Sequence, residues 1–544
     1  MEDSRISGME ATDESGYAAA CVSIATQIQS KASLSQKSIM KIVRQTAAIH
    51  RLSTLPRNQD IVEQLDHGSP YRKLLMVKPV KTRSGVLVIA VMPKPYECPH
   101  GRCVYCPGGI TVNTPLSYTG QEPVTKAAQK FAYDPYEQIR SRLAQLCSMG
   151  HDTGKVELVV VGGTFPFMSE QYQREFVKSC FAALNSHDID MVRSFTLPEA
   201  MKMNETAKSR CVGLTIETKP DYCKERHIDL MLEMGVTRVE LGVQCLQEDV
   251  YRAVNRGHDL VDVKYSFQVA RDSGLKVVAH MMPGLPKSSP EKDISDFYSL
   301  FDDPSYRPDM LKIYPTIVIK GTPLYEMYKR GKYVPYTNDD FVKILIEVKK
   351  RVPHWIRIMR VQREIEPSLI IAGPRSGNMR QTVLGILRGS GLRCNCIRCR
   401  EHGLLKNGLE STEMVTLNRF DYSAGSGMEV FLSFETRNRL KILGFLRLRV
   451  TQNPHRKELR EEQGASAVVR ELHIYGQMLN VGDRTEGASW QHRGFGAQLL
   501  FEAERVTREE YGLRKLSVIS AVGTREYYRK LGYQMNGPYM SKAI

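Results

Sequence analysis

Three cysteines in one short loop offer the clearest chemistry in this chain of 544 residues. They are Cys98, Cys103 and Cys106, and a flexible Pro-Gly-Gly stretch follows the last of them. Cubane iron–sulfur clusters normally take four cysteines, so three thiolates leave one iron open to bind and cleave S-adenosylmethionine. Zinc with His100 as fourth ligand is the alternative that this spacing leaves open. The pattern favours the cluster and radical chemistry.

Small and polar residues follow several predicted strands. Gly162, Gly163 and Thr164 follow one strand, while Glu217 and Gln244 follow two others. Glycine lets a ligand approach the backbone without a Cβ clash. Because active sites of β/α barrels lie at the C-terminal ends of the strands, we expect these residues to line one cofactor site. A tight turn or simple loop capping is the alternative for each of them taken singly.

Short apolar segments alternate with helical stretches after Gly85, which predicts an α/β barrel or a doubly wound parallel sheet. The predicted strands are 86–91, 156–161, 211–216, 238–243, 276–279, 311–314 and 356–361. Lys312 and Tyr314 lie on a late strand and are candidate catalytic residues. The alternative for Lys312 is an ion pair with a barrel carboxylate. Lys155 directly precedes the strand that leads to Gly162.

A second cysteine cluster follows the predicted barrel. It contains three thiols and an imidazole, in Cys394, Cys396, Cys399 and His402. Three sulfur ligands and one nitrogen match a structural zinc site. We therefore predict zinc there.

The last third of the chain predicts strands at 428–434, 442–450 and 467–475 and a helix at 494–510. The segment that opens this helix is glycine-rich and contains Gln491, Gly494, Phe495, Gly496 and Ala497. Unpaired backbone N–H groups at a helix N-terminus favour an anion such as a pyrophosphate. This segment is therefore a candidate cofactor site.

Composition points to a polyanionic partner. The net charge is +16 and the pI is about 9.2, which favours nucleic acid or an anionic surface. A helix predicted at 35–52 carries Lys37, Lys41 and Arg44 on one face, which is either a phosphate-binding face or a solvated one. No apolar run reaches the ~18 residues of a membrane span, and the acidic start lacks the basic region of a secretory signal. Twelve cysteines fit a reducing compartment, so the sequence predicts a cytoplasmic protein without membrane contact.

The segments 94–109, 117–123 (Ser-Tyr-Thr-Gly-Gln-Glu-Pro) and 133–137 (Tyr-Asp-Pro-Tyr-Glu) closely resemble the catalytic subunit of Elongator, in an archaeal or bacterial-like single-chain form. Only four residues separate Cys98 from Cys103, where eukaryotic members have a longer insert. The resemblance implies an α/β fold: a partial (β/α)6 radical-SAM barrel and a GNAT acetyltransferase domain, with a small zinc-binding linker and a helical N-terminal region. The implied boundaries are 1–80 for the basic tRNA-binding region, 81–365 for the barrel, 366–405 for the linker and 406–544 for the GNAT domain.

The family also implies roles for individual residues. Gly162 to Thr164 would bind the methionine part of S-adenosylmethionine, and Lys155 would contact acetyl-CoA. Lys312 and Tyr314 would guide the reaction intermediate. Further acetyl-CoA contacts would come from the C-terminal domain, namely Glu471, Leu472, His473, Ile474, Phe495, Gly496, Ala497 and Tyr528. Tyr528 would also donate a hydrogen bond to the departing thiolate.

The function implied is that of a tRNA uridine(34) 5-carboxymethyl synthase. A 5'-deoxyadenosyl radical would abstract hydrogen from the acetyl group of acetyl-CoA. The acetyl carbon would add to C5 of the wobble uridine, and hydrolysis would release CoA. The anticodon stem-loop would contact Lys37, Lys41, Arg44, Arg83 and Arg102, with an electron donor and a dimer or partner subunits as further partners.

Two other function classes compete with this hypothesis. A protein lysine acetyltransferase would explain the GNAT half alone, yet it has no use for an open iron, and a net charge of +16 repels basic histone tails at low salt. A nucleic-acid-binding scaffold would hold zinc in both cysteine clusters.

Overall fold

The structure is a computed structural model that describes residues 4–66, 68–185, 194–405, 414–461, 464–476 and 494–544. The chain forms two compact units. One comprises Met1–Arg83 and Arg140–Thr153, and the other comprises Ser84–Ile139 and Gly154–Ile544. Within the described residues, no helix is both long and apolar enough to cross a membrane.

The first unit is helical, with helices at Ser4–Gln29, Gln36–Ile49, Asn58–Glu63 and Tyr71–Leu75. The second of these confirms the helix predicted at 35–52. It begins where the hydroxyl of Ser35 accepts a hydrogen bond from the backbone N–H of Ser38 at 3.1 Å, a common N-cap arrangement. Ile39, Ile42 and Val43 on its apolar face pack into a core with residues of the other helices.

The second unit begins with the predicted parallel sheet. Its first nine strands are β1 Leu87–Val91, β2 Lys155–Val160, β3 Arg210–Thr218, β4 Arg238–Gln244, β5 Lys276–Met281, β6 Met310–Ile313, β7 Val318–Ile319, β8 Arg357–Arg360 and β9 Ile370–Ala372. Seven of them form one sheet in the order β1-β2-β3-β4-β5-β6-β8, with every neighbour parallel. All seven predicted strands are confirmed, and the sheet is one strand wider than a six-stranded barrel. The pair β7 and β9 forms a separate small sheet.

Helices connect these strands, as parallel pairing requires. They lie at Pro123–Lys130, Pro135–Ser148, Glu170–Asn185, Leu197–Asn204, Glu225–Glu233, Glu248–Ala253, Leu260–Asp272, Pro290–Asp302, Pro323–Lys329 and Asn338–Arg351. The central strand β4 is buried over almost its whole length, which is typical of a sheet covered on both faces. Helices at Met379–Gly389 and Ile397–Arg400 follow the barrel and carry the second cysteine cluster.

A second seven-stranded sheet ends the chain. Its strands are β10 Val415–Ala424, β11 Gly427–Thr436, β12 Ile442–Gln452, β13 Ala465–Ile474, β14 Lys515–Val518, β15 Gln534–Asn536 and β16 Tyr539–Ala543. The helix predicted at 494–510 is α-helical over Phe495–Arg505 and continues as a π-helical turn over Val506–Glu510. A further helix lies at Arg525–Arg529. The sequence patterns did not predict β10, β15 or β16.

Candidate active site

The first cysteine cluster lies in the loop that follows β1. Cys103 and Cys106 are buried and Cys98 is half-buried. The loop turns tightly, because the N–H of Cys106 donates to the carbonyl of Cys103 at 3.1 Å. Gly108 is required by close packing, since a Cβ there would lie 2.3 Å from the carbonyl oxygen of Pro115.

An imidazole and a guanidinium lie beside the thiol of Cys103. His100 Nε2 lies 3.2 Å from its Sγ, and Arg256 Nη1 lies 3.8 Å from it. The pKa of Cys103 is held well below its ordinary value by a hydrogen bond with Cys106, against the opposing effect of burial, with His100 and Arg256 adding to the decrease. A thiolate is the form that binds metal, so the loop is prepared for ligation.

The spacing of ligand atoms distinguishes the two cysteine clusters. Among the described residues, Cys394, Cys396 and Cys399 bring their three sulfurs within 4.8 Å of one another, and the first cluster does not form such a set. A single zinc ion needs ligands gathered around one point, whereas a cubane distributes its ligands over several irons. The three converging thiols of the second cluster therefore fit one zinc ion.

Buried polar atoms beside the first cluster also fit a bound group. The hydroxyl of Tyr96 and Nε of Arg256 are buried and have no hydrogen-bond partner among the described residues. Such atoms are uncommon in folded proteins and call for an explanation. A polar cofactor next to the cysteine loop would satisfy them.

The predicted strand-end residues converge near this loop. Gly162 and Gly163 adopt φ of +130° and +108° after β2, a backbone region that favours glycine. The N–H of Gly162 donates to Glu217 Oε2 at 3.2 Å. Burial raises the pKa of Cys98, and a hydrogen bond with Thr164 opposes that rise. Thr164 therefore contacts the cysteine loop directly.

Gln244 ends β4 with a φ of +78°, which is uncommon for a residue other than glycine. Its carbonyl accepts a hydrogen bond from the N–H of Met282 at 2.7 Å. The backbone is therefore held at the same edge of the sheet as the two glycines. Cofactor binding by all five strand-end residues stays a prediction.

Lys312 lies in a buried cluster of charges on one face of the parallel sheet. Its Nζ contacts Glu240 and lies 4.0 Å from Glu217 Oε1, and His280 Nε2 lies 2.8 Å from Glu240 Oε2. Burial alone would lower the pKa of Lys312, but Glu240 outweighs it and the pKa is raised. Glu217, Glu240 and His280 bring one ligand atom each within 4.8 Å of one another, and the ammonium of Lys312 contacts the two carboxylates of this group.

Tyr314 follows β6 beside this cluster. Its ring makes an edge contact with the ring of His280, with centroids 5.6 Å apart. Burial raises the pKa of Tyr314, so the phenol keeps its proton. Sequence reasoning missed Glu240 and Arg256, because nothing in their local spacing marks them.

Lys155 lies at the opposite end of its strand from Gly162. It is the first residue of β2 and pairs in register with Arg210. Six residues of strand span ~20 Å at ~3.3 Å each. At this same end of the sheet, Lys276 Nζ lies 3.4 Å from the carbonyl oxygen of Arg470 on β13. Lys155 therefore belongs to the side that faces the C-terminal sheet.

Two neighbouring strands of the C-terminal sheet, β13 and β14, pair only briefly near the predicted acetyl-CoA site. Strands β13 and β14 pair in parallel through only two residue pairs, Val468 with Ser517 and Val469 with Val518. Beyond them β13 continues to Ile474. Gly494, with a φ of +85°, precedes the helix Phe495–Arg505. A helix N-terminus beside such a strand suits a phosphorylated ligand.

The predicted strand residues alternate between two environments, as a strand requires. Leu472 and Ile474 pack against the core of the C-terminal sheet. Glu471 accepts a hydrogen bond from Arg447 Nε at 2.8 Å, and His473 Nε2 lies 3.2 Å from the carbonyl oxygen of Ser84. Burial would raise the pKa of Glu471, but Arg447 reverses this and lowers it.

Three further predicted positions lie at the helix start. The ring of Phe495 packs on Phe434 with centroids 4.5 Å apart. A Cβ on Gly496 would lie 2.9 Å from the hydroxyl of Tyr527. Ala497 lies in the first turn of the helix, and Gln491 lies outside the described residues.

Tyr528 is more deeply buried than its neighbour. It belongs to the core of the C-terminal sheet, whereas Tyr527 packs at the edge of that core. Burial raises the pKa of both phenols. The proposed donation from Tyr528 to a thiolate stays a prediction, and Tyr527 is the hydroxyl placed against Gly496.

Buried ion pairs join the two large sheets. Arg470 on β13 binds Asp309 at the start of β6 through two contacts of 2.6 and 2.7 Å. Arg447 Nη1 lies 3.6 Å from the same carboxylate while its Nε binds Glu471. The predicted acetyl-CoA strand is thus tied through arginine to the strand that carries Lys312.

The second cysteine cluster has its own cation. Lys349 is fully buried, with Nζ 3.8 Å from Cys394 Sγ. Hydrogen bonds with Cys394 and Cys399 hold the pKa of Cys396 well below its ordinary value. Three converging thiols with a stabilised thiolate fit zinc. His402 begins the next turn, and its role as fourth ligand stays a prediction.

The predicted RNA-binding residues of the first unit are exposed, namely Lys37, Lys41, Arg44 and Arg83. Arg102 differs from them. Its guanidinium donates to the carbonyl of Cys106 at 2.8 Å and to that of Pro107 at 3.2 Å. It therefore braces the cysteine loop, and an RNA contact from it stays a prediction.

Comparisons with known proteins agree with this geometry. The Radical SAM superfamily matches residues 93–301, and the Radical_SAM C-terminal domain matches 308–388. The tRNA uridine(34) acetyltransferase of Methanocaldococcus infernus is 44% identical over 94% of this chain and 96% of its own. Elongator complex protein 3 of Homo sapiens is 44% identical over 93% of each chain. The solved structure of the archaeal Methanocaldococcus infernus Elp3 with an N-terminal deletion has a TM-score of 0.74 at 42% identity, covering 85% of this chain and 100% of that one.

Proposed function

Because the chain belongs to the Elongator complex protein 3 family, we propose that it modifies the wobble uridine of tRNA by radical chemistry. The product would be uridine 34 carrying a carboxymethyl group at C5, with acetyl-CoA as the carbon source. The observation that carries this proposal is the sequence identity of 43–44%, over 94% of the chain, to tRNA uridine(34) acetyltransferases. The loop of three cysteines agrees with it. A transferase that moves only acetyl groups has no need for that loop.

In the barrel, Cys98, Cys103 and Cys106 would hold a four-iron cluster, and the loop after β2 would hold S-adenosylmethionine. When bound, these groups supply an alkyl radical that removes hydrogen from the acetyl methyl group. Gly163, where a Cβ would lie 3.6 Å from the hydroxyl of Tyr96, leaves space for a ligand that lies against the backbone. Cys103 and Cys106 are buried, and a site closed to water would protect such chemistry from competing reactions.

The chain's own charges would position the substrate. Lys312 is fixed by Glu240, so its ammonium is held in one place inside the barrel. An ammonium fixed in this way can bind the carbonyl oxygen of a thioester without a change in protonation. Tyr314, protonated beside His280, can donate a second hydrogen bond.

The C-terminal sheet would bind acetyl-CoA between β13 and the helix Phe495–Arg505. Lys155 lies at the end of the barrel that faces this sheet, which supports its predicted contact with the cofactor. Zinc in the second cysteine cluster would be structural. The domain boundaries at residues 81, 366 and 406 belong to this proposal.

The remaining partners follow from charge and chemistry. A net charge of +16 suits tRNA, and the exposed basic residues of the first unit are candidate contacts for the anticodon stem-loop. Reductive cleavage needs an electron donor. The proposal also includes a dimer or partner subunits. It includes a cytoplasmic location as well, because twelve free cysteines suit a reducing compartment.

The test is anaerobic turnover. Reconstituted protein is incubated with tRNA, reductant, S-adenosylmethionine and acetyl-CoA labelled in its methyl carbon, and the nucleosides are separated by mass. Label at uridine 34 is expected with the native chain and with Cys147→Ala, a cysteine outside both clusters, but not with Cys106→Ala. Label on lysines of added proteins without label on uridine would refute the proposal in favour of a protein acetyltransferase.

A further inference from the structure

A small cavity lies between the loop of the second cysteine cluster and the hairpin of β10 and β11. Its volume is about 180 Å³. Neither the cysteine sites nor the proposed acetyl-CoA site includes it. The lining residues that bear on its chemistry are His354, Arg393, Phe420, Phe431, Glu435 and Arg439.

The carboxylate in this lining is already neutralised. Glu435 accepts a salt bridge from Arg400 at 2.8 Å and a hydrogen bond from the hydroxyl of Ser433 at 2.9 Å. Arg400 also donates to the carbonyl oxygens of Asn395 and His354. Its guanidinium therefore has partners on every side, and this pair adds no net charge.

Two other arginines leave the cavity positive. No carboxylate of the described residues lies within 4.0 Å of the guanidinium of Arg393 or Arg439. Arg419 differs, because Asp421 and Glu510 bind it at 2.7 and 2.8 Å. Uncompensated arginines around a concave surface attract an anion.

An aromatic wall adjoins the arginines. Phe420 stacks on Trp355 with centroids 5.0 Å apart and meets the ring of His354 at 4.5 Å, yet 38% of Phe420 remains exposed. Burial lowers the pKa of His354, so its ring is neutral. The positive charge at the cavity therefore comes from arginine, and the exposed ring offers a stacking surface.

The size of the cavity decides between ligands. Sites for whole cofactors typically have roughly 300–1,000 Å³, so a complete nucleotide does not fit within 180 Å³. A single phosphate group does fit, and the planar guanidinium of arginine matches its oxygens. The attached nucleoside would stay outside, beside Phe420, where base stacking on an aromatic ring is favourable.

We propose that this cavity binds one backbone phosphate of an RNA strand, with the adjacent base stacked on Phe420. The inference rests on the proposed function, because tRNA is the RNA that the chain would handle. It adds an RNA contact on the C-terminal half that is independent of Lys37, Lys41, Arg44 and Arg83.

The test compares full-length protein with the variant Arg393→Gln/Arg439→Gln. Binding of tRNA is measured from 50 to 200 mM salt. Loss of one phosphate contact is expected to make the slope of log K against log salt shallower by about 0.7–0.9, which is roughly a threefold difference over this range. Arg330→Gln is the matched control, since Arg330 is exposed and lies outside the cavity lining, and it should keep the native slope.

Two additional variants keep the result interpretable. Arg393 directly precedes Cys394, so zinc content and thermal midpoint are measured, and Arg439→Gln alone is used if the double variant loses metal. Phe420→Ala should weaken tRNA binding at least about fivefold, because stacking contributes ~1–3 kcal/mol per base. Native affinity and slope in both Arg439→Gln and Phe420→Ala would overturn the inference.

The source of the phosphate is tested separately. Inorganic phosphate is titrated against the native chain and the arginine variants by ³¹P NMR. If phosphate binding depends on the arginines while tRNA binding does not, the cavity is a site for free phosphate and the RNA assignment is wrong. Native carboxymethylation of uridine 34 with unchanged tRNA binding in all variants would refute this inference alone, whereas failure of the native chain to bind tRNA would refute the proposed function as well.

Discussion

Replacement of Asp309 by Asn should destabilise the contact between the barrel and the C-terminal sheet. Asp309 is only 1% exposed. It binds both terminal nitrogens of Arg470 and also accepts the N–H of Val277 at 2.8 Å. Removing one partner of such a buried pair typically costs ~3–5 kcal/mol, because the remaining charge stays buried without compensation. Glu429, 2.8 Å from Arg470, limits the loss to the lower part of this range.

The pH dependence of this effect has a defined sign. Burial alone would raise the pKa of Asp309, but Arg470 and Arg447 hold it well below its ordinary value. A depressed carboxyl pKa stabilises the fold above the unfolded pKa of ~3.9, and that stabilisation is lost as pH falls further. The difference between native chain and Asp309→Asn should therefore be full at pH 7 and should shrink in acid.

The assay is urea denaturation followed by tryptophan fluorescence. The chain has two tryptophans, so a Trp490→Phe background leaves Trp355 as reporter. Trp355 is buried at the same interface, where its carbonyl accepts a hydrogen bond from Arg447 at 2.7 Å.

Two comparisons control this experiment. Glu366→Gln breaks the pair with Lys126, which spans 3.5 Å with both side chains 53% exposed, and should change stability by less than ~1 kcal/mol. Asp309→Asn/Arg470→Met should cost less than the sum of the single changes, because neither partner is left charged. A loss below about 1 kcal/mol for Asp309→Asn would refute the argument that this pair holds the sheets together.

Three further predictions concern the two cofactor sites and a buried carboxyl. Cys103→Ala should abolish iron–sulfur absorbance and 5'-deoxyadenosine formation while tRNA affinity stays nearly native, as measured by spectroscopy and filter binding. Gly496→Val should weaken acetyl-CoA binding at least about tenfold in calorimetry, because its side chain would enter the space beside Tyr527, whereas Gly385→Ala, with open space around it, should not. Burial raises the pKa of Asp293 to about 6, so the folded state binds this proton more tightly than the unfolded state. The free energy of unfolding should fall by about 3 kcal/mol as pH rises from ~4 to ~6, and Asp293→Asn should flatten this slope in denaturation midpoints.

Each of these has a contrary outcome. Equal loss of tRNA binding in Cys103→Ala would mean that the thiols hold the fold. Native acetyl-CoA affinity in Gly496→Val would remove the helix N-terminus from the cofactor site. A stability that rises between pH 4 and 6 would show that the hydrogen bonds to Asp293 from Gly284, Ser288 and Tyr336 outweigh its burial.

Local pattern in the sequence determined most of the secondary structure. The barrel strands are short, mainly apolar segments that alternate with helices, so each predicted strand overlaps the observed one. The helix at Gln36–Ile49 was predicted from the helical spacing of its apolar residues. The strand β10 was not predicted, because one of its faces is largely exposed and residues such as Asn418 and Arg419 interrupt the apolar pattern. Strands at an edge carry less of the periodic signal that identifies buried ones.

Candidate sites formed by residues close together in the chain could also be predicted from the sequence. Both cysteine clusters are compact in the sequence, so their spacing alone identified them as candidate metal sites. The glycines after β2 and before the helix Phe495–Arg505 were identified because strand ends and helix starts are places where backbone groups bind ligands. These inferences need only a few residues of context.

Tertiary structure alone decided which distant charges meet. Asp309 and Arg470 are 161 positions apart, and Lys312 meets Glu240 across 72 positions. The tertiary structure also showed that Lys155 lies at the opposite end of β2 from Gly162 and that Arg102 contacts the cysteine loop. It showed as well that Arg393 and Arg439 line one cavity. The physical reason is that side-chain spacing along a strand or helix is fixed by local geometry, whereas contacts between elements depend on how whole sheets pack and which charges their burial forces into pairs.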